Sequence, residues 1–312
     1  MTNIATPQTS LQIAVIGDVH DQWDKQDIVA LQSLDVDLVL FVGDFGNESV
    51  NVVRSISSLP IPKAAIFGNH DAWYTATPWG RRKCPYDRQT EDWVQQQIDL
   101  LGPADVSYGK RDFPELELTV IGGRPFSWGG PEWKYETFYR DRYGVHSFEE
   151  SLERMKQAID AAAFDTLVFV GHCGPTGLGD TPESPCGRDW NPIGGDFGDP
   201  DFAAAIAYAQ SLGKSGPLVA FGHMHHHLRH RQDIQRQRVS RDPAATLYLN
   251  AACVPRIVQT AATCEHNFSL VTLRDRQVQQ ADLVWVDQTN TITAIEDLLA
   301  DLPSSKPLQP LS

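Results

Sequence analysis

The sequence predicts an α/β fold built around a largely parallel sheet. Three observations carry that prediction. Short continuous apolar runs end in glycine at residues 12–17 (QIAVIG), 37–43 (DLVLFVG) and 63–68 (KAAIFG), the pattern of strands buried on both faces. Helical segments separate them, at residues 25–34 and around 49–57. This strand, helix, strand alternation favours parallel pairing, and each run delivers a polar cluster at its C-terminal end, where open α/β sheets place ligands.

The remaining elements follow in order. Residues 72–90 are aromatic, proline-bearing and locally basic, and read as a long loop. A helix is expected over 91–101 and strand structure over 115–122, followed by a loop-like stretch, 123–144, carrying Trp128, Trp133, Tyr135, Phe138 and Tyr139. Ser147-Phe-Glu-Glu150 forms a capping-box pattern that opens a helix running to residue 163. Residues 166–171 (TLVFVG) read as a buried strand. The Gly/Pro/Asp-rich excursion 173–200 is longer than an ordinary connection, as lids and binding loops are. An Ala-rich helix over 201–212 leads to a strand at 218–222. After a charged stretch, 229–241, strands are expected at 246–251, 269–273 and 281–286. The last twenty residues are expected to hold one short helix and a Pro/Ser tail. With no repeat and no linker, the expectation is a single domain over 11–290, with 1–10 and 291–312 as terminal extensions.

Composition narrows the function. The 312 residues are 41% hydrophobic and 21% charged, an ordinary globular balance that excludes coiled-coil and disordered chains. No apolar run approaches the roughly eighteen residues of a membrane-spanning helix, and the first ten residues lack the basic and apolar regions of a secretory signal. A formal charge of −14 makes the chain a poor non-specific binder of long nucleic acid or membrane surfaces. The five cysteines include no C-x-x-C pair, so a reducing, cytoplasmic setting is expected.

The chemistry concentrates in five segments: Gly17-Asp18-Val19-His20, Gly43-Asp44, Gly68-Asn69-His70-Asp71, Gly171-His172 and Gly222-His223-Met224-His225. Each directly follows an expected buried strand. Asp18 and His20, like His223 and His225, are two residues apart, which in extended geometry turns both members of a pair to one side. Parallel strands would gather these ends at one sheet edge. Carboxylates can bridge cations, imidazoles bind borderline divalent ions, and Asn adds a neutral oxygen. Seven such donors suit two metal ions a few ångströms apart, the arrangement that clamps the attacking and leaving oxygens in phosphoryl hydrolysis.

This ordered series resembles that of the calcineurin-like metallophosphoesterases, whose pattern runs D-x-H, G-D, G-N-H-[DE], (G)H and G-H-x-H. The matching motifs span residues 17–225. The resemblance implies two mixed β-sheets packed as a sandwich and flanked by helices, a four-layer architecture. It implies a phosphomonoesterase or phosphodiesterase that uses two divalent metal ions, with manganese or iron ranked before zinc, and water activated between them. Asp18, His20 and His225 would hold one ion and Asn69, His172 and His223 the other, with Asp44 between them. His70 would protonate or stabilise the leaving oxygen, and Asp71 would orient or polarise the His70 ring. The chain departs from many members at Asp21-Gln22-Trp23 and at Phe45-Gly46-Asn47-Glu48, both beside the site.

The expected partner is a small phosphorylated metabolite or nucleotide. Two arginines are candidates for its phosphate. Arg124 follows a strand and suits either bidentate phosphate binding or an ordinary ion pair; Arg188, in the long excursion, offers the same chemistry. His226 and His227 extend the H-x-H run and suit solvated or supporting roles. The contrasting reading is a catalytically silent binding module on the same fold. The presence of all seven donors and His70 argues against it.

Overall fold

A computed structural model describes residues 10–302; the expected loose start before residue 10 and the Pro/Ser tail after 302 lie outside the described residues. The chain forms thirteen strands in two mixed sheets among the described residues. The first sheet is built from β1 (Leu11–Ile16), β2 (Leu38–Phe41), β3 (Lys63–Ala65), and four strands from the end of the chain. The second contains β4 (Lys110–Phe113), β5 (Leu118–Gly122), β6 (Thr166–Val170), β7 (Ser215–Phe221), β8 (Val239–Arg241) and β9 (Leu247–Asn250). The first sheet is completed by β10 (Ile257–Gln259), β11 (Cys264–Arg274), β12 (Gln277–Asp287) and β13 (Ile292–Asp297), in the order β13-β12-β11-β1-β2-β3 with β10 on β11. The second runs β4-β5-β6-β7-β9-β8. Pairing is parallel along β1-β2-β3 and along β5-β6-β7-β9, as the apolar runs predict, and antiparallel at the flanks.

Alternation along each strand builds the layers. In β1, Ile13 and Val15 face the second sheet and pack with Val168, Val170, Leu218 and Leu249. Ala14 and Ile16 face the other way, onto α1 (Lys25–Ser33), α2 (Val50–Ser57) and, beyond two short helices, α5 (Trp93–Leu101). The second sheet turns Leu167, Phe169 and Val219 onto α7 (Phe148–Asp160) and α8 (Pro200–Ser211). Helices, sheet, sheet, helices: the four layers follow from strands with two apolar faces. Among the described residues no helix is long and apolar enough to cross a membrane.

Several elements differ from the sequence expectation. The stretch 72–90 is not wholly loop. It opens with α3 (Trp73–Ala76) and α4 (Pro78–Arg81), the latter capped by Thr77, whose hydroxyl accepts from the Gly80 N–H at 2.8 Å with Pro78 in the first turn. Within 123–144, α6 (Glu136–Tyr143) buries Phe138 and Tyr139 and ends at Gly144 in the left-handed conformation (φ 65°). The capping pattern before α7 is half realised: Ser147 caps Glu150, but the Glu150 carboxylate accepts from the His146 N–H at 2.7 Å. β4 has no counterpart in the sequence reading; its three consecutive polar residues, Lys110, Arg111 and Asp112, show no strand alternation, and it gains its register from β5. β11 and β12 are twice the expected length and form a hairpin turned at Asp275 and Arg276, both at positive φ (53° and 61°). The sheet also runs past residue 290. An exposed strand, β13, lies where a helix is expected, pairs with β12, and leads into a 3-10 turn at Leu298–Asp301.

Candidate metal centre

The C-terminal ends of β1, β2, β3, β6 and β7 deliver the five motifs to one edge of the sandwich. The strand-end backbone does not stay extended. Asp18 (φ 49°), His20 (45°), Asp44 (55°) and His223 (68°) all occupy the left-handed region, so these donors converge through turns and not through strand alternation. Two glycines make the close approach feasible. A Cβ on Gly68 would stand 2.3 Å from Asp44 Oδ1, and one on Gly222 would stand 2.2 Å from Asp18 Oδ2. Any side chain there would displace a carboxylate.

All seven candidate donors come together. The ligand atoms of Asp18, His20 and His225 lie within 4.8 Å of one another, as do those of Asp44, His172 and His223. Asn69 joins the second group, its Oδ1 3.0 Å from His172 Nε2. The Asp44 carboxylate links the groups, with Oδ1 3.3 Å from His172 Nε2 and Oδ2 3.9 Å from His20 Nε2. Each carboxylate is anchored by a backbone N–H: His223 to Asp18 Oδ2 at 2.9 Å and His70 to Asp44 Oδ1 at 2.8 Å. The His172 Nδ1–H is taken by the Val42 carbonyl at 2.8 Å, leaving Nε2 as a lone-pair donor toward the centre.

These residues fit a pair of divalent cations. Asp18 Oδ1 is fully buried with no hydrogen-bond partner, and it points at the His225 and His20 rings, 3.3 and 3.8 Å away. An orphaned carboxylate oxygen is costly unless a cation meets it. Burial opposes the charge of Asp18, but the facing His225 ring, with His172 and His20, holds its carboxyl well below the usual range. Burial likewise opposes the charge of Asp44, and His172 and His70 outweigh it. Burial, aided by His172, pushes His223 down to about 3, so its imidazole is neutral and free to donate.

His70 and Asp71 part company. The His70 ring stacks on Trp73 (centroids 4.8 Å, 10°), and its Nδ1 meets Asn47 Oδ1 at 2.7 Å. Asp71 does not touch that ring. Its buried carboxylate accepts the backbone N–H groups of Gly68 (2.7 Å), Phe45 (2.8 Å) and Asp44 (3.0 Å), fastening two ligand loops together. Burial and the nearby Asp44 charge raise its carboxyl well above the ordinary range against the pull of those donors. The side chain that meets the His70 ring nitrogen is instead Asn47, in one of the segments that departs from the family pattern.

The candidate phosphate arginines are placed elsewhere. Arg124 is 3% exposed and locked between Asp199 (2.5 Å) and Asp201 (3.0 Å), tying β5 to α8. Arg188 bonds the Gly194 carbonyl at 2.9 Å and stacks over Phe197 inside the excursion. Buried His226 donates its Nε2–H to the Asn250 carbonyl (2.9 Å), and burial takes it down to about 4; it supports the loop. Lining a cleft of about 460 Å³ above the centre are residues sequence reasoning does not assign, among them Trp73, Trp128, Lys134, Trp190 and Arg229. The aromatic residues of the loops are visible in the sequence as a signal, but their convergence is not.

The sequence profile of the calcineurin-like phosphoesterases matches residues 11–227. No curated protein matches the chain in sequence. Among solved structures, TT1561 of Thermus thermophilus is similar at 11% identity and a TM-score of 0.47, covering 93% of this chain and 100% of its own. The purple acid phosphatase PPD1 from yellow lupin (Lupinus luteus) seeds is similar at 11% identity and 0.44, with 97% of this chain and 57% of that one covered. The phosphopantetheinyl hydrolase PptH of Mycobacterium tuberculosis is similar at 15% identity and 0.41, with 77% and 88% covered.

Proposed function

The chain belongs to the calcineurin-like phosphoesterase family, and from that premise we propose that it hydrolyses small phosphate esters at a centre for two divalent metal ions. One observation carries the proposal: the Asp44 carboxylate turns one oxygen toward each of two histidine groups, with the orphaned Asp18 oxygen beside them. Asp18, His20 and His225 would hold one ion, and Asn69, His172 and His223 the other, with Asp44 shared. When bound, such ions would neutralise phosphoryl charge and acidify water; manganese or iron is proposed with zinc as the alternative, a mixed His/carboxylate set being compatible with all three.

The protein's own groups do the rest. His70, held at Nδ1 by Asn47 and on its face by Trp73, has Nε2 left to give a proton to the leaving oxygen. Because Nδ1–H faces the Asn47 oxygen, the Nε2 proton is that of the imidazolium form, which burial disfavours and the nearby Asp44 carboxylate favours. Asp71 keeps Asp44 and the His70 segment in register through three backbone N–H groups.

The test is metal analysis of the purified protein beside a chromogenic aryl phosphate assay with added Mn²⁺. Two equivalents of metal and turnover are expected in the parent, and loss of both metal and turnover in Asp44→Ala. Full activity in Asp44→Ala would overturn the scheme, and hydrolysis of carboxyl esters without phosphate esters would replace it.

A further inference from the structure

The metal centre accounts for the scissile phosphate and leaves the cleft above it unexplained. Three indoles line that cleft and none of them is a candidate ligand. Trp73 continues the His70 stack onto Trp128 (5.3 Å, 27°), so aromatic surface begins at the proton donor and runs outward. Trp190 arrives from the excursion after β6 and packs edge-on to Phe197 at 5.2 Å. All three remain partly exposed.

Two cations reach the same cleft. The Lys134 ammonium has the Gly129 carbonyl at 3.4 Å, and the Arg229 guanidinium lies 5.5 Å from the Trp190 ring. Among the described residues neither has a carboxylate partner within 4.0 Å. The one carboxylate of the outer cleft, Asp189, is taken by Arg236 at 3.3 Å and by the Arg229 backbone N–H at 2.9 Å. In a chain of net charge −14, two uncompensated cations beside three indoles reverse the average field locally. Indole faces favour flat rings, and a guanidinium and an ammonium favour an anion. The cleft volume of about 460 Å³ suits a small molecule.

We propose that the site selects phosphate esters whose leaving group carries a flat ring and a second anionic group, the class of nucleotides phosphorylated at more than one position. The ring lies against Trp128 and Trp190, and the second anion meets Lys134 and Arg229. The proposal rests on the phosphoesterase reading for its chemistry, but its binding arm stands apart from catalysis.

The experiment has two arms. With Mn²⁺-supplied protein, kcat/KM is measured for glycerol phosphate, adenosine 3′-monophosphate and adenosine 3′,5′-bisphosphate, with an expected rise of about tenfold at each step. Trp190→Ala should raise KM for the two nucleotides at least fivefold more than for glycerol phosphate. Lys134→Ala combined with Arg229→Ala should erase the advantage of the bisphosphate over the monophosphate. In the second arm, calorimetry on metal-free protein reads bisphosphate binding directly, and the double variant should bind at least tenfold more weakly. Equal kcat/KM across the three esters, or variants that slow all three alike, would overturn the proposal. If no ester is turned over, the phosphoesterase reading fails. The calorimetric arm then decides: binding lost in the double variant supports the cleft assignment, and no binding by the parent overturns it.

Discussion

Replacing Asp71 separates two roles that its place in the motif leaves indistinguishable. If the carboxylate served the His70 ring, Asp71→Ala would slow turnover and leave stability alone. The structure gives it three buried backbone N–H groups instead, at 2.7, 2.8 and 3.0 Å. Each buried donor left without an acceptor costs about 1–3 kcal/mol, giving roughly 3–9 kcal/mol before relaxation. Water entering the vacated space returns part of that, so a loss of about 4 kcal/mol is expected. At roughly 2–4 °C per kcal/mol for chains of this order, the melting temperature should fall by about 8–16 °C. Asp71→Asn keeps the volume but turns an amide NH₂ toward N–H donors, so it should recover less than half of the loss. The assay is chemical and thermal unfolding of both variants and the parent in EDTA, so that metal binding does not enter the comparison. An Asp71→Asn protein as stable as the parent, yet as slow as His70→Ala, would refute the clamp and restore the ring-orienting role.

Three further outcomes are expected. His70→Ala should keep its metal but lose about 10²–10⁴ in kcat on alkyl phosphates and far less on aryl phosphates, whose leaving groups need no proton; Asn47→Ala should show the same pattern more weakly, as steady-state kinetics against leaving-group pKa will read. Arg124→Met strands Asp199 and Asp201 in the interior and should cost about 3–5 kcal/mol in urea unfolding, with KM for a small phosphate ester within about twofold of the parent; a tenfold KM rise with stability intact would return Arg124 to the substrate. Burial opposes ionisation of Asp27, but Arg256 at 3.0 Å and His266 at 3.1 Å outweigh it and depress its carboxyl in the folded state. A depressed folded value means stabilisation that is present above the unfolded carboxyl value, near about 4, and is lost as pH falls through the folded one. Asp27→Asn should therefore be less stable at neutral pH and show a flatter fall in urea midpoint between about pH 5 and 2; superimposable slopes would count against the linkage.

What the sequence discloses, it discloses through local regularity. The strands β1, β2, β3, β6 and β7 show as apolar runs because their faces are covered, and each run ends just before its candidate ligand. Interactions between distant segments leave no such trace. Arg124 sits 75 residues before Asp199 and 77 before Asp201, and nothing near it marks those partners. β13 carries no burial pattern at all, since every one of its residues is exposed, so only its pairing with β12 defines it as a strand. Asn47 is legible as a departure from a pattern, yet its contact with His70 depends on the turn that follows Asp44.

The donor pairs show how a correct convergence can follow from an incorrect local geometry. Extended backbone would place Asp18 and His20 on one side by alternation, and residues two apart in any strand would do the same. In the structure both sit at positive φ, and the Asp18 and His20 N–H groups bond the carbonyls of Gly43 and Asp44, in the segment that follows the next strand. The first donor pair is thus shaped by the loop that supplies Asp44, and Asp44 is in turn fastened by Asp71 and by the His70 N–H. Each motif is held by its neighbour and not by its own strand. Asp and His tolerate the left-handed region better than bulkier or branched residues, so the residue types that bind cations are also types that accept these turns. The centre is therefore a property of strand ends in register. A shift of one residue between β1 and β2 would separate Asp18 from Asp44 while leaving every apolar run in the sequence intact.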